Sequence, residues 1–278
     1  MRLLIFGLGY TASRIAGAVR AGGGAVAGTT RDGRGDSLRF EDAAAVRRWI
    51  GGATHILSSV PPGEGHDPVL DAYGEALAAT GAKLAYLSST GVYGDVGGAW
   101  VDESAPIGTG RRKARSEADA AWLKRGARVF RLPGIYGPGR SPLDKMREGT
   151  AHRVLAGGQV FSRIHVDDIV SGVLAGLDAD AGAYNLADDL PAGRNAVIEY
   201  AAALLGLAPP PLVALEALSP TAQGFYAENR RVANGKAKRV LGWRPHYPTY
   251  RFGLRALNAT TSPKMASTPP EIAKADQR

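Results

Sequence analysis

Leu3-Leu4-Ile5-Phe6-Gly7-Leu8-Gly9-Tyr10-Thr11-Ala12 joins four large apolar residues to a glycine turn and then to a segment of helical period. The apolar run is too short for a signal peptide core or a membrane span, and Gly7 breaks it, so it reads as a buried strand. The turn matches the G-x-G-x-x-G/A pattern in the strand-to-helix setting that gives that pattern meaning. Gly7 permits the tight bend, Gly9 lets a pyrophosphate approach bare backbone, and Ala12 lets helix and strand pack closely. The helix start then offers unpaired N–H groups and a positive dipole end to the phosphates. Gly7, Gly9, Tyr10, Thr11 and Ala12 are therefore the first candidate cofactor-binding residues.

Downstream, Ala12, Ile15, Ala16 and Val19 recur at helical spacing until Gly22-Gly23-Gly24 ends the run. Further short apolar runs predict strands at Ala25–Thr29, His55–Leu57, Lys83–Leu87, Arg128–Leu132 and near Ala183–Leu186. Strands of this kind alternating with helical segments predict an α/β, Rossmann-type doubly wound parallel sheet. Beyond about Gly134 the pattern loosens into Gly- and Pro-rich loops, with helices predicted near Asn195–Leu205 and Gly235–Leu241. The expected organisation is one domain over residues 1–258, with a small C-terminal substrate lobe built from about 138–165 and 190–258. Residues 259–278 are polar and proline-broken and read as a disordered tail.

The second strand ends in Thr29-Thr30-Arg31, where an acidic residue would hold the ribose of NAD. Thr30 and Arg31 suit a 2′-phosphate instead, because a planar guanidinium pairs with phosphate oxygens. NADP is the expected cofactor. If Asp32 turned inward, NAD would be favoured.

Composition narrows the remaining classes. The 278 residues are 45% apolar, enough for one large core, and contain no cysteine, which excludes disulfides, thiolate zinc sites and a cysteine nucleophile. The formal charge of +8 is scattered, with only Arg111-Arg112-Lys113 forming a tight group, so no nucleic-acid groove is expected. No stretch reaches membrane-span length, and a cytoplasmic location is the expectation. The five histidines lack metal-ligand spacing, and Ser89 lacks the G-x-S-x-G elbow of a hydrolase. His165 with Asp167 reads as packing and capping.

Several later stretches resemble the extended short-chain dehydrogenase/reductases, the group that holds NAD(P)-dependent epimerases and dehydratases. They are Tyr86-Leu87-Ser88-Ser89-Thr90-Gly91-Val92-Tyr93-Gly94, Arg131-Leu132-Pro133-Gly134-Ile135-Tyr136-Gly137-Pro138-Gly139-Arg140, Arg163-Ile164-His165-Val166-Asp167-Asp168-Ile169, Tyr184-Asn185-Leu186-Ala187-Asp188-Asp189 and Leu241-Gly242-Trp243-Arg244-Pro245. The resemblance implies that Ser89 and Thr90 stand at the catalytic Ser/Thr position, with Tyr93 facing substrate. It also implies that Pro133 flanks the nicotinamide, and that Ser58 and Val60 line the adenine and ribose side. Pairing of two copies through helices near 68–80 and 112–125 is a further implication.

One family feature is missing. None of the ten tyrosines has a lysine four residues on, and alignment places Arg111 and Arg115 where the Tyr-x-x-x-Lys pair should stand. A guanidinium stays protonated and cannot act as a general base. Arg111 is left as a binder of an anionic substrate or phosphate and Arg115 as a donor to cofactor ribose, unless both are solvated helix-face residues. Tyr93 becomes a candidate proton carrier. The resemblance implies an NADP-binding oxidoreductase or epimerase/dehydratase-like protein moving hydride on a small polar substrate. The alternatives are a non-catalytic NADP-binding sensor or scaffold, and a nucleotide-sugar enzyme with tightly bound NAD.

Overall fold

The structure, a computed structural model, describes residues 1–63, 65–111 and 113–261. The first half of the chain forms β1 (Arg2–Phe6), α1 (Tyr10–Ala21), β2 (Ala25–Thr30), β3 (Leu38–Arg39), α2 (Ala43–Gly52), β4 (His55–Ser58), α3 (Pro68–Ala79) and β5 (Lys83–Ser89). A 3₁₀ turn at Thr90–Tyr93 leads to β6 (Trp100–Val101), α4 (Lys113–Lys124), β7 (Arg128–Leu132), β8 (Gly134–Tyr136), α5 (Pro142–Arg147) and β9 (Arg153–Leu155). The remainder is β10 (Arg163–His165), α6 (Val166–Gly176), β11 (Gly182–Asn185), α7 (Arg194–Leu204), β12 (Leu212–Ala214), α8 (Pro220–Tyr226), β13 (Arg231–Val232), α9 (Gly235–Val240) and α10 (Tyr250–Thr261).

The main sheet has seven strands in the order β11-β7-β5-β4-β1-β2-β3, all parallel. From β1 the chain moves to β2 and β3 on one side, then crosses to β4 on the other. That reversal leaves a crevice beyond the carboxyl ends of β1 and β4, the place where such sheets bind ligands. Side-chain alternation explains the two buried faces. Leu3 and Ile5 of β1 pack with Ile15 of α1 and with Ile169 and Val173 of α6. Leu4 and Phe6 face the other way, onto Val46 and Ile50 of α2, Tyr73 and Leu77 of α3 and Trp122 of α4. Because both faces are covered, the central strands read as continuous apolar runs.

All six expected strands are present, with ends shifted by one or two residues, and the sheet is the doubly wound one that their alternation with helices implied. What periodicity did not reveal are β3, with two residues, and the short parallel pairs β8/β10, β9/β12 and β6/β13. Two or three residues carry no measurable period. A third apolar cluster joins Leu143 and Met146 of α5, Val197 and Ile198 of α7, and Tyr250 and Leu254 of α10. That last helix runs to Thr261, three residues into the stretch expected to be a structureless tail, and its mate is this cluster. Residues 262–278 of that expected tail lie outside the described residues.

Candidate active site

The opening turn is built as its residue types demand. Gly7 adopts φ +83°, a left-handed conformation that only glycine enters without strain. Its N–H donates to Thr29 Oγ1 at 3.2 Å, the N–H of Leu8 donates to the Thr29 carbonyl at 3.0 Å, and Ser59 Oγ donates to the Gly7 carbonyl at 2.6 Å. The Leu8 side chain sits on bare Gly28, where an added Cβ would lie 2.4 Å from it. A Cβ on Gly9, by contrast, would meet nothing within 4 Å. The turn thus closes on its own strand neighbours and leaves one flank open beside the start of α1.

That flank opens into a cavity of about 530 Å³. Of the expected cofactor residues, Gly9, Tyr10, Thr11, Ala12, Arg115 and Pro133 line it, and so do the expected catalytic residues Ser89, Thr90 and Arg111. Bare backbone at a helix start, a glycine with room beside it and a trough continuing past the strand ends suit a dinucleotide.

Ser58, Val60 and Tyr93 lie elsewhere, as do Gly7, Thr30 and Arg31. Ser58 is fully buried, with its hydroxyl turned away from the cavity, because it ends β4 and alternation points it into the core. Its neighbour Ser59 lines the cavity instead. Val60 backs the turn, with Cγ2 3.0 Å from the Cβ position of Gly7. Tyr93 is 1% exposed, since the 3₁₀ turn after Ser89 swings its ring behind the cavity wall among Val92, Val101 and Val232. Its hydroxyl donates to Asn185 Oδ1 at 2.8 Å and accepts from Arg131 Nη1 at 3.0 Å. Burial pushes its phenol above the ordinary value, against the pull of Arg131. Tyr93 therefore cannot meet a substrate in the cavity, which corrects its expected role as proton carrier.

Behind that wall runs a buried polar network that sequence reasoning missed. Arg131 donates two hydrogen bonds to the Asp119 carboxylate, from Nη2 at 2.7 Å and from Nε at 3.0 Å, with both side chains almost wholly buried. Ser88 Oγ donates to Asp119 at 2.6 Å, and the Asn185 N–H donates to Glu103 Oε1 at 2.7 Å. A signal existed: an arginine between Phe130 and Leu132 in a buried strand demands a partner.

At the end of β2, Thr30 Oγ1 shares a 2.7 Å hydrogen bond with Ser37 Oγ and accepts from the Arg34 N–H at 3.2 Å. Arg31 and Arg34 are exposed, and the Asp32 carboxylate lies 4.0 Å from Arg34. Hydrogen bonding to its own backbone holds the Asp32 carboxyl below the usual range. Neither Thr30 nor Arg31 lines the cavity.

The cavity is cationic. Its lining holds Arg111, Arg115, Arg140 and Arg230 against the single carboxylate of Glu228. Arg111 sits just ahead of α4 rather than on the helix, and Arg115 is within it. Glu228 Oε1 accepts from the Arg111 backbone N–H at 2.8 Å and lies 3.5 Å from Arg111 Nε, while Oε2 is 3.0 Å from Arg230 Nη1. The Arg111 guanidinium also rests over the Phe225 ring at 5.2 Å. Arg140 lies over Tyr10, 5.7 Å from its ring centre, at the start of α1. Arg140, Glu228 and Arg230 escaped sequence reasoning because no local pattern marks them; they arrive from distant parts of the chain. A second cavity of about 480 Å³ adjoins through Gly134, Ile135 and Arg140. Among the described residues no acidic or histidine group could hold a metal, and no helix is long and apolar enough to cross a membrane.

No family model matches the chain. It is 42% identical to a conserved protein of unknown function from Silicibacter pomeroyi DSS, with 93% of this chain and 98% of that one covered at a TM-score of 0.83. The human epimerase family protein SDR39U1, solved with NADPH, shares the fold at a TM-score of 0.76 and 16% identity, covering 93% of this chain and 99% of that one. A 3-diazoavenalumate denitrifying reductase from a Streptomyces species is 37% identical over 141 residues, 45% of each protein. Protein YeeZ of Escherichia coli K12 is 32% identical over 142 residues, 49% of this chain and 50% of that protein. The chain thus spans about half the length of the curated relatives it matches. With a relative 42% identical matched nearly end to end, the chain belongs to one family with that conserved Silicibacter pomeroyi protein, and its parallel sheet has the fold of the solved epimerase-family protein.

Proposed function

We propose that the chain is an NADP-dependent oxidoreductase that moves hydride between the nicotinamide and a small polar substrate at the Ser89 end of the cavity. The observation that carries this reading is a single trough that begins at the open flank of Gly9 and ends among Ser89, Thr90 and Arg111. When bound, the nicotinamide supplies or accepts the hydride. The N–H groups opening α1 hold the phosphates, with Arg140 beside them, and Arg31 and Arg34 face the 2′-phosphate. Ser89 Oγ accepts from the Gly91 N–H at 3.1 Å, which leaves its own hydrogen to be donated into the cavity. Thr90 offers a second hydroxyl. Pairing of two copies through α3 and α4 belongs to the same reading and is checked by light scattering.

The lining contains no tyrosine–lysine pair, and its one carboxylate is held between two arginines. Either water supplies the proton, or the substrate accepts hydride without one. The Streptomyces relative is named for a denitrifying reduction. Replacement of N₂ by hydride at a diazonium carbon, R–N₂⁺ plus H⁻ giving R–H plus N₂, balances with no proton at all. Acceptors of this class suit a site stripped of its proton carrier.

Calorimetric titration with NADPH and NADH tests the cofactor assignment. NADPH binds more tightly, and Arg31→Ala weakens NADPH about tenfold, the effect of one lost charge-assisted hydrogen bond, while NADH is unchanged. Equal loss for both nucleotides refutes the 2′-phosphate role. Nicotinamide absorbance followed against aldehydes, ketones and arenediazonium salts tests turnover, and tight binding with no turnover on any of them favours a sensor instead.

A further inference from the structure

We infer that Arg111, Glu228 and Arg230 form the seat for a substrate carboxylate, so that the substrate is an organic acid with a flat apolar body. The inference rests on the reading of this cavity as the hydride-transfer site.

The seat already shows the geometry it would recognise. A carboxylate, that of Glu228, stands between the two arginines with contacts of 2.8, 3.5 and 3.0 Å. Guanidinium forks match such planar two-oxygen groups, and they bind them more strongly where water is partly excluded. Here exclusion is substantial, for the side chains of Arg111, Arg230 and Glu228 are 33%, 16% and 8% exposed. Glu228 offsets one of these two guanidiniums, and Arg115 of the same lining adds a further positive charge, so the seat favours an anion.

Donors remain for that second anion. Glu228 engages Arg111 through the backbone N–H and the Nε side and Arg230 through Nη1, so the Nη2 of Arg230 is not among the atoms that hold Glu228. The Nη2 of Arg230 lies 3.9 Å from the point where a Cβ on Gly91 would stand, and Ser89 Oγ lies 3.3 Å from the same point. The charge therefore sits next to the hydroxyl proposed to meet the reacting atom. Around it the lining is apolar and partly aromatic, with Val160, Phe161, Phe225 and Val232. Phe225 is 53% exposed although it lines the cavity and supports Arg111 from below. An exposed ring beneath a guanidinium is a platform for a flat organic acid.

The probes are trans-cinnamate and its neutral isostere cinnamamide, each titrated calorimetrically into the full chain with and without saturating NADP⁺, with UDP-glucose as a nucleotide-sugar comparison. Cinnamate is expected to bind at least tenfold more tightly than cinnamamide and to be undisturbed by UDP-glucose. Arg111→Met weakens cinnamate about tenfold with NADP⁺ affinity unchanged, and Arg111→Lys recovers part of the loss. Glu228→Gln removes the internal counter-charge and tightens cinnamate severalfold, a change of sign that a purely structural carboxylate would not produce. Binding of neither probe, equal binding of both, displacement of cinnamate by UDP-glucose, or weaker cinnamate binding in folded Glu228→Gln overturns the seat. Failure of NADP⁺ to bind overturns the cofactor reading instead, and the cofactor-free titration then judges the seat by itself.

Discussion

Gly9→Val abolishes most of the nicotinamide nucleotide affinity, by about a hundredfold or roughly 2.7 kcal/mol, while leaving stability almost unchanged. Gly9 has φ −90° and ψ −170°, an extended conformation that any residue adopts, so the backbone imposes no strain on valine. A Cβ there meets nothing within 4 Å, so the fold imposes no clash either. The only thing the new side chain can displace is a ligand approaching the first turn of α1. Gly7→Ala behaves in the opposite way, because φ +83° and the nearby Val60 methyl make it a folding defect first. Thermal unfolding and calorimetry on the two variants separate the cases. Wild-type affinity in Gly9→Val would show that the phosphates lie elsewhere and would remove the basis of the proposed function.

Asp119→Ala costs about 3–5 kcal/mol, the usual penalty for leaving one member of a buried ion pair without its partner. Arg131, 2% exposed, then keeps its charge behind the cavity wall, with the Tyr93 hydroxyl left to accept from it. The double variant Asp119→Leu with Arg131→Met removes both charges and recovers most of the loss, since similar volumes of apolar side chain fill the space. Urea unfolding at fixed pH measures both. A loss under 1 kcal/mol in the single variant would mean that water reaches Arg131, contrary to the buried pair described above.

The parts of the fold legible in the sequence were those whose physics is local. A strand buried on both faces must be an apolar run, and Leu3–Phe6 followed by Gly7 and Gly9 could hardly be anything but a first strand and its turn. The strand pairs that frame the far end of the cavity, such as β6 with β13, have two residues each and depend on tertiary context. The site divides in the same way. Ser89, Thr90 and Pro133 stand close to the carboxyl ends of sheet strands, Arg115 on the helix between two of them and Arg111 just ahead of it, so motif position alone was enough to place them in the cavity lining. Ser58 and Ser59 were confused because a one-residue step along a strand exchanges core for cavity. Tyr93 was misplaced because a 3₁₀ turn rotates the ring through the wall, and nothing in Thr90-Gly91-Val92-Tyr93 announces that rotation. Arg230 and Glu228 reach the site from more than a hundred residues beyond Ser89, a proximity that only folding creates.

The three hydrogen bonds that tie Gly7 and Leu8 to Thr29 and Ser59 have a kinetic consequence. In its proposed role as phosphate cradle, a turn clamped from both neighbouring strands has no loop to order when a nucleotide arrives, so the ordering entropy is met when the chain folds. Capture then depends on diffusion and field alone, and a loosened clamp such as Thr29→Val slows arrival before it changes what the site finally grips.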